Sequence, residues 1–236
     1  MVALAAILRE PLPGPTTLGL AALAGLLAVS GIIGLYQGLA VGRMGVVAPV
    51  TGLIAATLPV VVGFIRQGVP STEVVVGIAA ALGAVILVSR TSDPAGRPSG
   101  IEYALVGGVG LGLFNIVVGA FPEHGVAWPL AVIKAVGVVT IALIVLVGRR
   151  PWRVPRPIWP AIAVVAVLDM AGNAFYLLAT QVGRLDVAAT LSSLYPVTTV
   201  ILAVVILHER VSRSHLVGIV MAALAIILIS GGSVTG

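Results

Sequence analysis

The stretch VGIVMAALAIILIS at residues 217–230 repeats an earlier stretch of the chain, VGIAAALGAVILVS at residues 76–89. Neither stretch contains a charged residue, and each belongs to a longer apolar run of the kind that spans a membrane. The two stretches agree in their first three residues and in their final serine. The pair predicts a membrane protein built from related helical units.

The similarity extends towards the N-terminus without a gap. GRMGVVAPVTGLIAATLP from residue 42 falls on GRLDVAATLSSLYPVTTV from residue 183, and we call this superposition of the chain on itself the repeat alignment. About a third of positions 42–89 are identical in it, including Arg43 with Arg184 and Ser71 with Ser212. Chance similarity between apolar helices would not keep such polar landmarks in register, so an internal duplication is predicted.

Composition places the chain in the all-α polytopic membrane class. Hydrophobic residues make up 59% and charged residues 9% of the sequence, and the mean hydropathy is +1.20, outside the range of soluble domains. The net charge of +5 comes from basic residues in short gaps between apolar runs, which is typical of topology signals and not of nucleic-acid binding. The chain has no cysteine, which excludes disulfides and thiolate metal sites. A bacterial-type cell membrane is the expected location, with the lipid bilayer as its surroundings.

Eight apolar runs are long enough to cross a bilayer core about 30 Å thick. They are predicted at residues 16–41, 44–65, 72–89, 101–121, 126–147, 158–181, 187–207 and 214–229. Because the connections are short, consecutive helices are expected to be antiparallel neighbours. Small-residue stripes are predicted to bring helix backbones together, namely Gly34, Gly38 and Gly42, and Gly108, Gly112 and Gly119.

The repeat alignment also predicts the domain organisation. Residues 1–90 form a first repeat, residues 91–100 a linker, and residues 101–236 a second repeat of five helices. MVALAAIL at the N-terminus would span only about 12 Å as a helix, and it falls on the end of a helix in the second repeat. It is expected to be a helix stub, so that the first repeat lacks its first helix and most of its second. A misplaced start and a truly short protein are the two alternatives, and a signal peptide is not predicted because no basic segment precedes the run.

Several motifs taken together resemble the EamA family of the drug/metabolite transporter superfamily. They are the Gly-Arg pairs at 42 and 183, LSSLYPVTTV at 191–200, HERVS at 208–212 and the closing run at 217–230. The resemblance covers residue 16 to the C-terminus and implies a ten-helix secondary transporter that exports small organic metabolites such as amino acids. The first repeat departs from it, since GVPS stands where the second repeat has HERVS. An odd number of helices per unit makes the two repeats inverted, which suits alternating access.

Two arguments predict opposite orientations of the chain in the membrane. The larger group of arginines lies on the side of the loop after Val41 and of the charged loop at 148–157. The positive-inside rule makes this side cytoplasmic and places the C-terminus outside. The resemblance implies a C-terminus inside, and both orientations stay open.

Two ionisable residues lie inside predicted spans, where charge is costly and is by default functional. Lys134 falls in the run 126–147, and Asp169 falls in the middle of the run 158–181. They are predicted to be coupling or counter-charge groups. Either they pair with each other, or Asp169 carries a coupling proton while Lys134 meets an anionic group of the substrate. A structural ion pair with no role in transport is the alternative.

A polar stripe is predicted to bind substrate. Asp169, Asn173, Tyr176 and Thr180 follow one another at spacings of four, three and four, which places them on one helix face. They line an aqueous cavity or bond to neighbouring helices. Asn115, on the face of the second glycine stripe, bonds a ligand or a neighbouring helix.

A second group of candidate substrate-binding residues lies in LSSLYPVTTV. Ser192, Tyr195 and Thr199 share a helix face, and Pro196 frees a backbone carbonyl one turn earlier. Hydroxyls and freed carbonyls at a broken helix can coordinate a polar ligand. Hydrogen bonds of the hydroxyls to their own helix are the alternative.

The sequence favours a transporter over an enzyme, because it contains no HExxH and no GxSxG motif. No catalytic residue, metal ligand or cofactor is predicted, and the three histidines lack metal-ligand spacing. The expected partners are a small-molecule substrate and protons, with a homodimer left open as the assembly and no nucleic acid. A non-transporting truncated paralogue or a membrane partner subunit is the alternative function, and an intramembrane enzyme is a third.

Overall fold

The structure is a computed structural model that describes residues 5–6, 9–88, 99–122, 125–149, 155–194, 197 and 213–232. Every regular element within these ranges is a helix, which confirms the all-α prediction. The α-helices are α1 (Pro15–Val41), α2 (Met44–Gln67), α3 (Thr72–Val88), α4 (Ile101–Val118), α5 (Ala127–Val147), α6 (Trp159–Val182), α7 (Leu185–Ser192) and α8 (Arg213–Gly232). A 3₁₀ turn at Arg156–Ile158 precedes α6.

The observed helices coincide with the predicted runs to within a few residues, but two are shorter than a typical span. Five segments of the described chain are long and apolar enough to cross a membrane, namely Pro15–Val41, Val46–Gln67, Ile101–Val118, Ala127–Val147 and Arg156–Val182. Thr72–Leu87 and Leu216–Ile229 are apolar but shorter. The predicted run 187–207 is described only at its beginning, as α7, and most of the N-terminal stub lies outside the described residues. The number of membrane crossings therefore stays a prediction.

Helices α1 and α4 pack backbone against backbone through glycines. A Cβ atom placed on Gly34 would lie 2.6 Å from the backbone nitrogen of Gly107, and one on Gly110 would lie 2.7 Å from that of Gly31. Residue numbers fall along α4 as they rise along α1, so the two helices are antiparallel. The packing role predicted for Gly34 is confirmed.

A second glycine face of α4 packs against α2. A Cβ atom on Gly108 would lie 2.7 Å from Ile54 Cβ, and one on Gly112 would lie 2.8 Å from Leu58 Cδ1. Helix α4 thus lies between α1 and α2, as small residues permit in lipid, where close packing drives association.

Several consecutive helices are in contact, as expected, but their interfaces are not the most extensive ones. The most extensive interfaces are α1 with α4, α3 with α8 and α2 with α4, all between helices that are distant in sequence. The interfaces of α1 with α2, α2 with α3 and α5 with α6 are smaller. The reason is that the glycine faces of α4 let α1 and α2 approach more closely than larger side chains would allow.

Helices α3 and α8, which correspond to each other in the repeat alignment, pack antiparallel. A Cβ atom on Gly77 would lie 2.8 Å from Ile229 Cγ1, near the end of α8, whereas one on Gly83 would lie 2.7 Å from Met221 Cε, nearer its start. The two counterpart helices therefore point in opposite directions.

Corresponding residues also form the core of this helix pair. Ala81 and Ala84 of α3 fall on Ala222 and Ala225 of α8 in the repeat alignment, and all four are buried in one apolar cluster. The interface is thus self-complementary, as between two related units.

Glu10, in the segment before α1, caps the N-terminus of α5. Its carboxylate accepts hydrogen bonds from the backbone nitrogens of Ala127 at 2.9 Å and Trp128 at 3.4 Å. The indole nitrogen of Trp128 donates to the backbone oxygen of Glu10 at 3.0 Å. The first backbone N–H groups of a helix lack intrahelical acceptors, so this carboxylate both satisfies them and opposes the helix dipole.

Candidate functional site

A cavity of about 420 Å³ lies between α2, α4, α6 and α7. Small residues of α2, namely Gly52, Ala55 and Ala56, line one side of this space, and a few polar groups line it as well. The described residues that line it are Gly52, Ala55, Ala56, Leu111, Phe114, Asn115, Asp169, Gly172, Asn173, Tyr176, Ala189, Ser192 and Ser193. A mostly apolar wall with a few convergent polar groups is typical of a small-molecule site.

The two ionisable residues singled out from the sequence form an ion pair at this cavity. Lys134 Nζ lies 2.5 Å from Asp169 Oδ2, with the side chains 35% and 53% exposed. The Asn173 amide donates to the backbone oxygen of Asp169 at 2.7 Å and to its Oδ1 at 3.1 Å. Of the two arrangements that the sequence left open, the structure has the one in which Lys134 and Asp169 pair with each other. The carboxylate is bound by Lys134 at Oδ2 and by Asn173 at Oδ1.

Three of the four residues in the predicted polar stripe line the cavity, namely Asp169, Asn173 and Tyr176. Tyr176 is buried, and its hydroxyl donates to the backbone oxygen of Asn115 at 3.1 Å, which ties α6 to α4. Thr180 is not among the described lining residues, and its hydroxyl donates to the Leu177 carbonyl of its own helix at 2.8 Å. Thr180 lies one helical turn beyond Tyr176 on the same face, and its substrate-binding role stays a prediction.

The remaining sequence candidates divide into two groups. Asn115 and Ser192 line the cavity, whereas Tyr195 and Thr199 lie outside the described residues. Ser193, which the helical spacing did not select, also lines the cavity and donates its hydroxyl to the Thr190 carbonyl at 2.7 Å. No pattern in the sequence distinguished the apolar lining residues from other membrane-spanning positions.

The structure contains a second charged cluster that the sequence analysis did not identify. Asp186 is completely buried. Arg184 donates two hydrogen bonds to its carboxylate, from Nε to Oδ1 at 3.1 Å and from Nη2 to Oδ2 at 2.9 Å. The same guanidinium donates to the carbonyls of Gln67 and Gly68, which end α2. This cluster therefore anchors the N-terminus of α7 to the C-terminus of α2, away from the cavity. The predicted span began after Asp186, so its charge was attributed to a connection.

The described residues contain no group of three or more histidine, aspartate or glutamate side chains that could hold a metal ion. Two of the three histidines, His124 and His208, lie outside these residues. Among the described lining residues the polar side chains are carboxylate, amide and hydroxyl groups.

Comparisons with known proteins agree with this architecture. The model of the EamA-like transporter family matches residues 98–231, more than half of the chain. A crystal structure described only as that of a protein has a similar fold, with a TM-score of 0.59 and 19% sequence identity, over 100% of this chain and 94% of that chain. No curated protein matches the sequence. The chain, a multi-pass membrane protein, belongs to the EamA-like transporter family.

Proposed function

We propose that the protein is a secondary active transporter that exports small organic metabolites, such as amino acids or related compounds, across the cell membrane. The observation that carries the proposal is the Lys134–Asp169 ion pair beside a cavity of about 420 Å³. A charged pair within apolar helices is costly and is typical of a substrate or ion pathway. Membership of a transporter family gives the pair a context in which such a pathway is expected.

The proposed mechanism is alternating access between two inverted repeats, residues 1–90 and 101–236, joined by the linker 91–100. In the repeat alignment Pro15–Val41 falls on Arg156–Val182, and the first residues of α2 and α3 fall on the first residues of α7 and α8. The counterpart helices α3 and α8 run antiparallel, as inverted repeats require. Both observations support the proposal.

The position of the cavity suits this mechanism. Its wall combines α2 of the first repeat with α4, α6 and α7 of the second. A site between two units becomes accessible from alternate sides when one unit rocks against the other. The polar groups of α6 would then face a substrate throughout the cycle.

The test is solute counterflow into liposomes that contain the purified full-length chain. Asp169→Asn is expected to abolish concentrative uptake of radiolabelled amino acids, because it removes the carboxylate of the cavity and leaves Lys134 unpaired. Glu73→Gln, a similar change in the exposed first turn of α3, is the matched control and should leave uptake unchanged. Uptake by Asp169→Asn at the wild-type rate would contradict the proposed role of the carboxylate.

A further inference from the structure

We propose that the Lys134–Asp169 pair is a charge-matching element that selects zwitterions, an inference that rests on the transport function proposed above. The ammonium group of the substrate replaces Lys134 Nζ on Asp169, and the substrate carboxylate becomes the new partner of Lys134. No covalent bond changes in this exchange, and one ion pair is replaced by two.

The geometry of the carboxylate suits such an exchange. Lys134 binds Asp169 through Oδ2, whereas Asn173 donates to Oδ1. When Lys134 leaves, the carboxylate keeps its orientation because Asn173 still holds it. Both charged side chains are partly exposed, at 35% and 53%, so a ligand can reach them without disturbing the packed core.

The positions of the two residues set the order of events. Asp169 lines the cavity, whereas Lys134 is not among its described lining residues. A ligand in the cavity therefore meets the carboxylate first, and its ammonium group competes with Lys134. The lysine side chain is long and flexible, so its ammonium can turn from Asp169 to the carboxylate of the bound ligand.

Charge balance selects the substrate class. Among the described lining residues Asp169 is the one with an ionised side chain, and its pairing with Lys134 makes the empty site neutral. A zwitterion keeps the loaded site neutral, whereas a cation leaves one excess positive charge and an anion one excess negative charge. An uncompensated charge inside a membrane protein is strongly unfavourable, so both singly charged classes bind less tightly.

The positions of the first repeat that correspond to Asp169 and Asn173 carry no charged or polar side chain. Asp169 and Asn173 fall on Ala28 and Ile32 in the repeat alignment. Charge recognition is thus confined to one side of the cavity, and Leu111 and Phe114 of α4 supply apolar wall. We therefore expect a zwitterion with an apolar side chain.

The test uses three compounds of nearly the same shape and different charge. Leucine is the zwitterion, 3-methylbutylamine is leucine without its carboxylate, and 4-methylpentanoate is leucine without its ammonium group. Binding to the purified full-length chain in lipid nanodiscs is measured by calorimetry. The wild type should bind leucine about 10- to 100-fold more tightly than either analogue, since each lacks one charged hydrogen bond.

Two substitutions should redirect this preference. Lys134→Met should weaken leucine binding about 10- to 100-fold and make 3-methylbutylamine the tightest ligand, because Asp169 then stands alone. Asp169→Asn should also weaken leucine binding about 10- to 100-fold, and it should make 4-methylpentanoate the tightest ligand because Lys134 then stands alone. Arg66→Met in the last turn of α2 and Glu73→Gln are charge-matched controls at exposed positions, and both should keep the wild-type preference.

The double variant Lys134→Met/Asp169→Asn covers the case in which a lone charge prevents folding. Its neutral site should bind leucine no better than the uncharged 4-methylpentanamide. The inference is overturned if wild-type protein binds none of the three probes, prefers a singly charged one, or loses all binding in both single variants. If wild-type liposomes then still catalyse counterflow of other solutes, the proposed transport function is retained. If they catalyse no counterflow at all, the proposed transport function is contradicted as well.

Discussion

Asp186 and Asp169 show how different two aspartates in one membrane protein can be. Asp169 is half exposed and bound by one lysine nitrogen, whereas Asp186 is fully buried and bound by two nitrogens of Arg184. The first can change its partner at little cost. The second cannot, because a buried charge without its partner loses both solvation and pairing.

Asp186→Asn is therefore expected to lower the free energy of unfolding by about 1.5–3 kcal/mol, the range for hydrogen bonds to charged groups. Arg184→Lys should have a similar effect, since an ammonium cannot reproduce the bidentate contact. Thermal unfolding of the purified variants in detergent measures both. A midpoint equal to that of wild type in either variant would contradict the anchoring role of the cluster.

At the scale of elements, glycine decides which helices meet. Gly34 of α1 leaves no room for a side chain, because a Cβ atom would lie 2.6 Å from the backbone of Gly107. Gly19 of the same helix has nothing within 4 Å of its Cβ position. Both glycines belong to α1, but only the first is at the α4 interface.

Gly34→Ala is expected to destabilise the protein by about 1–3 kcal/mol, the cost of overpacking where the obstructing atom is backbone. Gly19→Ala is the matched control and should be neutral or slightly stabilising, because alanine favours helix more than glycine does. Thermal unfolding of the two variants side by side measures the difference. Equal midpoints would show that the α1–α4 contact is looser than the structure has it.

The cap that Glu10 places on α5 belongs to the same scale. Glu10→Ala removes the acceptor of two backbone N–H groups, and capping residues contribute about 0.5–2 kcal/mol. Faster hydrogen exchange at the start of α5, with unchanged exchange in α3, is the expected result. Unchanged exchange in both helices would argue against the cap.

At the scale of the whole molecule, the proposed mechanism depends on how the two predicted repeats are oriented relative to each other. Val41 and Val182 end corresponding helices in the repeat alignment, and both side chains are exposed. If the repeats are inverted, these two helix ends lie on opposite sides of the membrane.

The absence of native cysteine makes this topology directly measurable. Val41→Cys and Val182→Cys should react with a membrane-impermeant maleimide from opposite sides of intact cells and inverted vesicles. Labelling of both from the same side would mean that the repeats are parallel. The same experiment decides between the two orientations suggested by the arginines and by the family resemblance.

The candidate site was only partly predictable. Asp169, Asn173, Tyr176, Asn115 and Ser192 line the cavity, as polar groups that face the interior of an apolar helix bundle can, and their role in substrate binding stays a prediction. Asp186 was placed in a connection, because the predicted span 187–207 begins two residues later than α7 does, and the exact start of a helix depends on local geometry.

The sequence by itself determined the membrane class and the positions of most described helices, because these follow from local hydropathy, and it predicted an internal repeat from periodic similarity. Only the tertiary structure decided which helices are neighbours and which side chains share the cavity. Apolar helices in lipid have no hydrophobic preference among partners. Their pairing depends on backbone approach at particular glycines such as Gly34 and Gly107, and that is a property of two surfaces that fit together.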